Sequence, residues 1–136
     1  MDASTDVQTK LQAAGLGTAG TNLFRGPVRP VGTAAQGKTP ANSIFVLSSG
    51  GREGDRVHFM NSENGPGELR YPNVQVRVRN TGFDAGKSIA EQVYQALEGQ
   101  LIAGYWDIRA LQSEPVYIRQ DENNNYHWSL NFELRY

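Results

Sequence analysis

Residues Tyr71 to Gly99 read YPNVQVRVRNTGFDAGKSIAEQVYQALEG, and the fold turns on this stretch. Val74, Val76 and Val78 alternate with Gln75, Arg77 and Arg79. A period of two with β-branched residues on one side predicts a strand with one buried face and one wet face. A parallel strand covered on both faces would be apolar throughout, so the alternation predicts an antiparallel sheet. Pro72 has no N–H to give the ladder and fits only at the strand's first residues. After Asn80-Thr81-Gly82 the period changes. Ile89, Val93, Ala96 and Leu97 fall on one face of a helix predicted over Ala85 to Glu98. Asp84 is placed to cap its N-terminus and Gly99 to supply the left-handed residue after its end. The helix is about 21 Å long and the strand Asn73 to Arg79 about 23 Å. The helix can therefore lie along the valines and cover them.

Gly82 to Ser88 (GFDAGKS) imitates a phosphate-binding loop. That loop needs four residues between its glycines so that successive N–H groups wrap the phosphates. Here three intervene, and Thr81 occupies the position that should be glycine. A turn followed by a capped helix is the simpler reading. A small nucleotide-binding domain or enzyme stays a remote alternative.

Outward from this unit, Asp6 to Ala14 has the spacing of a short amphipathic helix, with Val7, Leu11 and Ala14 on one face. Residues Gly15 to Ser43 are loop-like, with a short edge strand at Asn22 to Gly26 that Pro27 and Pro30 keep from pairing far. Ser43 to Ser48 (SIFVLS) predicts a buried strand. Ser49 to Pro72 holds five glycines around an extended piece, Arg56 to Met60. Long loops in compact domains are functional or disordered. A hairpin arm and an ordinary solvated loop both fit, and the arm is preferred. Arg52, Glu53, Asp55 and Arg56 alternate in sign, which suits a polar interface. Beyond the helix, Tyr105 to Leu111 predicts a strand with Trp106, Ile108 and Ala110 on one side. Pro115 to Arg119 predicts a shorter one. In Asn125 to Tyr136, Tyr126, Trp128, Leu130, Phe132, Leu134 and Tyr136 form a buried face. His127, Ser129, Asn131, Glu133 and Arg135 form a wet one. Gln120 to Asn124 joins the last two strands as a hairpin. The expected fold is α+β: an antiparallel sheet of about four strands, helices packed on one face, and an extended hairpin arm.

The 136 residues predict a single domain over 1–136, large enough for a real core. Thirteen Lys and Arg against fourteen Asp and Glu leave a net charge of −1, which gives no global pull toward nucleic acid or an anionic membrane. The absence of cysteine removes disulfide and thiolate chemistry. The N-terminal residues lack signal-peptide character and no apolar run reaches membrane-spanning length. Synthesis in the cytosol is compatible with both.

Chemistry finds little support in the residue pattern. His58 and His127 have no second ligand at metal spacing. Asp121, Asn123 and Asn125 imitate the start of a calcium loop, but that loop would need Gly and Glu where Tyr126 and Phe132 stand. No nucleophile elbow is present. Arg77 and Arg79, with Arg70 nearby, form a small basic patch that Glu68, Asp107 and Glu133 can neutralise. An arginine pair on a strand more often marks an interface or a salt bridge than nucleic-acid binding. The candidate residues are therefore those of an assembly interface: Arg52, Glu53, Asp55, Arg56, Arg77 and Arg79. No cofactor, metal or catalytic residue is expected.

The strand Pro72 to Arg79, the helix Ala85 to Gly99 and the closing hairpin Asp121 to Leu134 together resemble the tail terminator (minor capsid) family of long-tailed bacteriophages. Leu23-Phe24-Arg25-Gly26 and the strand ending in Gly50-Gly51 fall in the right order as well. The hairpin departs from the family's Gly-Arg after Asp-Glu, having Asn123-Asn124-Asn125. The resemblance spans most of the chain and carries no catalytic signature. It implies a non-enzymatic α+β virion protein, assembled in the host cytoplasm as a homohexameric ring. That ring would cap the tail-tube protein, stop its polymerisation and present a joining surface to the head connector or stopper. DNA passing through would be touched loosely, and no membrane is involved. A head-completion or neck protein is the alternative in the same setting.

Overall fold

A computed structural model describes residues 2–26, 41–57 and 67–136. Its elements are α1 (Ala3–Ala13), β1 (Leu23–Arg25), β2 (Ser43–Val57), β3 (Gly67–Asn80), α2 (Phe83–Leu97), β4 (Asp107–Ala110), β5 (Val116–Gln120) and β6 (Tyr126–Arg135). The expected four-stranded antiparallel sheet is overturned. Six strands form one mixed sheet in the order β1-β2-β3-β6-β4, with β5 also paired to β6. β1 runs parallel to β2, with Leu23 opposite Ile44, and the remaining pairs are antiparallel. Sheet, not helix, dominates the described chain. A three-residue strand shows no period, and its direction depends on the chain's route rather than on its own letters.

β4 and β5 share one edge of β6. β5 lies against Tyr126 to Ser129 and β4 against Phe132 to Arg135. Between them, the Leu111 N–H donates to the Asn131 carbonyl at 2.9 Å. The Gln112 side-chain oxygen accepts from the Asn131 N–H at 3.1 Å. The other edge of β6 belongs to β3, paired from Asn73–Glu133 to Asn80–Tyr126.

One face of the sheet carries the core. Val74, Val76, Val78, Trp128, Leu130, Phe132 and Leu134 meet Val7 and Leu11 of α1 and Ala90, Val93 and Leu97 of α2. α1 begins earlier than the Asp6 start expected, because Asp2 caps it. Its Oδ1 accepts from the Ser4 N–H at 3.1 Å and the Thr5 N–H at 3.5 Å. Hydrogen bonds from the Ser4 and Thr5 side chains hold the Asp2 carboxyl at a pKa of about 2. Arg25 of β1 adds an ion pair to Asp2 at 2.7 Å, tying the edge strand to the helix.

α2 likewise starts two residues before Ala85, with Gly82 and not Asp84 at the cap. The turn before it is fixed by side chains: Asn80 Oδ1 accepts from the Gly82 N–H and Asn42 Oδ1 from the Thr81 N–H, both at 3.0 Å. Asp84 sits in the first turn, where a negative charge favours the helix dipole. Gly86, the second glycine of the imitation phosphate loop, packs on the Trp128 indole. A Cβ there would lie 3.0 Å from Trp128 Nε1.

Three burial expectations fail, each for a packing reason. The second face of β6 is not wet: His127, Ser129 and Glu133 are buried. β6 is flanked on both sides, and long side chains from its neighbours lie across it. Arg79 is also buried, its guanidinium 5.3 Å from the Phe45 ring centre. Trp106 is 55% exposed while Tyr105 is buried, because β4 begins at Asp107 and the alternation does not reach back through the preceding turn. Pro72 lies inside β3, opposite Gly51; the Tyr71 and Asn73 main-chain atoms face Gly51, so the Pro72 nitrogen faces the β6 side, where the continuous ladder begins only at Asn73–Glu133.

Candidate functional site

The hairpin of β2 and β3 outruns the rest of the sheet. β1 covers β2 only from Ile44 to Val46, and β6 covers β3 only from Asn73 onward. Past that point the two strands continue together to the Val57–Gly67 pair. An arm is therefore present, its described part being 51–57 and 67–72. His58 and Met60, at its far end in sequence, lie outside the described residues, as do Pro27 and Pro30.

Two register shifts, between Ser48 and Gly51 and between Arg52 and Asp55, each add one residue to β2 relative to β3. Bulges of this kind bend a strand and raise its twist. The first is built on Gly50 (φ +84°) and Gly51 (φ +122°). At Gly51 the Tyr71 carbonyl comes so close that a Cβ would lie 2.1 Å from its oxygen.

At this bend a charged clamp joins the arm to β6. Arg52 lies over the Tyr71 ring, 3.5 Å from its centre, and its Nε donates to Glu133 Oε2 at 3.2 Å. The other carboxylate oxygen of Glu133 accepts from Arg135 Nε at 3.0 Å. Arg135 in turn lies 3.7 Å from Asp107, which Arg109 approaches at 3.8 Å. Arg70 and Tyr136 exchange both backbone hydrogen bonds, carrying the β6 pairing one step along the arm. Glu133 is buried and Arg52 is about half-exposed, so one end of the clamp is fixed and the other faces water.

The predicted site residues thus divide. Arg52 and Glu53 sit at the arm's base, both exposed. Asp55 and Arg56 continue β2 opposite Leu69 and Glu68, and their side chains lie outside the described residues, as does that of Glu68. Arg77 and Arg79 stand on the face opposite the helices, Arg77 half-buried and Arg79 fully so. Glu133 does not neutralise the Arg77–Arg79 pair; it serves Arg52 and Arg135. The role of Tyr71 and Arg135 was missed, since nothing in their local spacing marks two residues distant in sequence as partners.

His127 and Asp121 form a second polar contact on this face, His127 Nε2 to Asp121 Oδ2 at 2.8 Å. Burial pushes the His127 imidazole below its ordinary value, against the raising pull of Asp121. Burial pushes the Asp121 carboxyl up, but hydrogen bonds from His127, Asn125 and Asn123 outweigh it and hold the group low. Asp121 Oδ1 accepts from the Asn123 and Asn125 N–H groups at 2.8 and 3.0 Å, which makes the imitation calcium loop a tight turn with Asn124 at φ +61°. Among the described residues no three His, Asp or Glu side chains are grouped to hold a metal, and no helix is long and apolar enough to cross a membrane.

The far edge of the sheet differs in character. All five residues of β5 are exposed. Tyr117, Phe83, Tyr126 and Trp128 pack together, ring centres 5.0 to 6.4 Å apart where they meet, and Phe83 stays 43% exposed. Val116, Ile118 and Leu111 are also exposed, with Val116 opposite Ser129 on the other face of the strand from the ring cluster. The sequence pattern hinted at this edge only in that Val116 to Ile118 is apolar without alternation.

A family model described as bacteriophage tail terminator protein matches residues 10–136. Among solved structures, a chain from the virion of native gene transfer agent (GTA) particle is similar, with a TM-score of 0.57 and 19% identity. The match covers 98% of this chain and 92% of that one. At that identity the likeness is one of fold. A comparison with curated protein sequences gave no match.

Proposed function

The chain belongs to the bacteriophage tail terminator family, and on that premise we propose that this structural virion protein forms a six-fold ring that caps the tail tube. The ring ends tube polymerisation and offers the joining surface for the head connector. The observation that carries this reading is the arm. A two-stranded ribbon is marginal in water by itself, yet here its base is bent by two bulges and locked by the Arg52–Glu133–Arg135 clamp. A projection with no third strand, among the described residues, beyond the Arg70–Tyr136 pair suits contact with a neighbouring molecule. A ring closes when one patch meets a different patch on the next copy.

In this reading Arg52, Glu53, Asp55, Arg56 and Arg77 line the contact. Arg79, buried beneath, shapes that face from inside. The protein acts without catalysis and without a cofactor. The near-balanced charge, 13 basic against 14 acidic residues, leaves DNA in the lumen only loosely held. The test is electron microscopy of particles from a phage lacking this gene. Overlong tails beside detached, DNA-filled heads are the expected result. Tails of normal length beside heads that leak or lack a neck would assign the head-completion role instead, and normal infectious particles would refute both.

A further inference from the structure

Among the described residues the sheet has an open edge at each end. On one side, β2 has β1 beside it only at Ile44 to Val46, so Leu47 to Val57 has no strand there among the described residues. On the other side, β5 pairs inward with β6 and presents its outer edge to solvent. Half of the N–H and C=O groups of an edge strand point away from its neighbour and can accept another chain. Folded proteins blunt such edges with charge, proline or bulges. β5 has no proline, one charged residue (Arg119) and one register shift at Ile118. Its Val116, Tyr117 and Ile118 are 48%, 40% and 36% exposed, and Tyr117 packs on Phe83.

We infer that copies of this chain join by strand addition, the β5 edge of one copy meeting the β2 edge of the next at the base of its arm. This deepens the ring reading and rests on it. The strand order puts the two edges at opposite ends of one sheet, which is the arrangement a head-to-tail contact requires. Each copy uses one edge as donor and the other as acceptor, so ring closure leaves neither open. The charges agree. The β2 strand includes Arg52, Glu53, Asp55 and Arg56, of both signs, and β5 contains Arg119 with Glu114 just before it, also of both signs. Edges with both signs can pair where opposite charges are brought face to face, and their near-zero net charge gives no pull toward nucleic acid or an anionic membrane. Main-chain pairing supplies the affinity, and the exposed Val116, Tyr117 and Ile118 side chains gain cross-strand neighbours.

The chain has no native cysteine, so single thiols report cleanly. Glu53→Cys and Ile118→Cys are both exposed substitutions. The doubly substituted chain, assembled and treated with a short bismaleimide, is expected to give a ladder of covalent multimers on a denaturing gel, while each single variant gives none. Val116→Lys with Ile118→Lys is expected to lower the assembled fraction, measured by native mass spectrometry, at least tenfold with an unchanged melting temperature. Three results would overturn the proposal while leaving the ring intact: wild-type multimers without a ladder from the double variant, dimers from Ile118→Cys alone, or links only to another virion protein in purified particles. A wild-type chain that is monomeric both in solution and in particles would overturn the ring reading and this proposal with it.

Discussion

Replacing Gly51 with alanine should open the arm at its base. The backbone there has φ +122°, a region L side chains rarely adopt. Holding alanine in it costs about 1–3 kcal/mol. Space is the larger obstacle. The new Cβ would lie 2.1 Å from the Tyr71 oxygen and 3.0 Å from both Asn73 N and Pro72 Cα. All three are main-chain atoms, so no side chain can swing aside, and one strand must move by about 1 Å to reach ordinary contact. That shift pulls Arg52 off Tyr71, a stacked contact of about 0.5–1 kcal/mol, and strains its bond to Glu133. The expected total is about 3–5 kcal/mol. Gly50 is the control. It has φ +84° but nothing within 4 Å of its Cβ position, so alanine there should cost only about 1 kcal/mol of backbone strain. Urea unfolding followed by circular dichroism measures both. With a slope of about 2 kcal/mol per molar, the Gly51 variant should lose about 2 M in midpoint and the Gly50 variant about 0.5 M. Hydrogen exchange locates the damage, since amides in 51–57 and 67–72 should lose protection first. A Gly51 variant within about 1 kcal/mol of the Gly50 variant, with arm protection unchanged, would refute the tight bulge and the clamp built on it.

Three further outcomes are expected. Phe132, with 0% exposure at the centre of β6, should cost about 3–5 kcal/mol on truncation to alanine, read by the same unfolding assay; a loss under about 1 kcal/mol would remove it from the core. Alanine at Arg52, Asp55 and Arg56 together should abolish assembly in native mass spectrometry while the far-ultraviolet spectrum stays native, and intact rings from that variant would remove the arm base from the interface. Stability should fall as pH drops. The folded pKa values of His127 and Asp121 lie below their unfolded values, so this stability is complete above the unfolded histidine value of about 6.5 and is lost as pH falls through the folded ones. His127→Gln, which can still donate to Asp121, should flatten the upper part of that decline in a melting-temperature series. An unaltered profile would assign the decline to other groups.

Several features were legible because they depend on neighbours in sequence. The valine alternation of β3, the helical spacing of α2 and the apolar row of β6 each repeat over enough residues to reveal which side is buried. The turn at Asp121 to Asn125 and the positive φ of Gly99 (+67°) follow from the chemistry of single residues. The arm was legible as glycine-rich, sign-alternating sequence, but not its bend. Pro72 looked like a strand start because β3 continues back to Gly67 only through its pairing with the arm strand β2, while the β6 ladder begins after Pro72.

The sequence by itself determined the existence and order of the main strands and helices (though not their ends), the apolar side of each, and the nearly balanced charge. Tertiary structure alone decided the parallel pairing of β1, the sharing of one edge of β6 by β4 and β5, and the burial of His127, Ser129, Glu133 and Arg79 on the face that the alternation marks as wet. Periodicity reports one face relative to the other within a single element. It cannot report what a neighbouring element lays over the second face, and Arg52, Glu133 and Arg135 meet because folding brings β2 and β6 together across Tyr71 of β3.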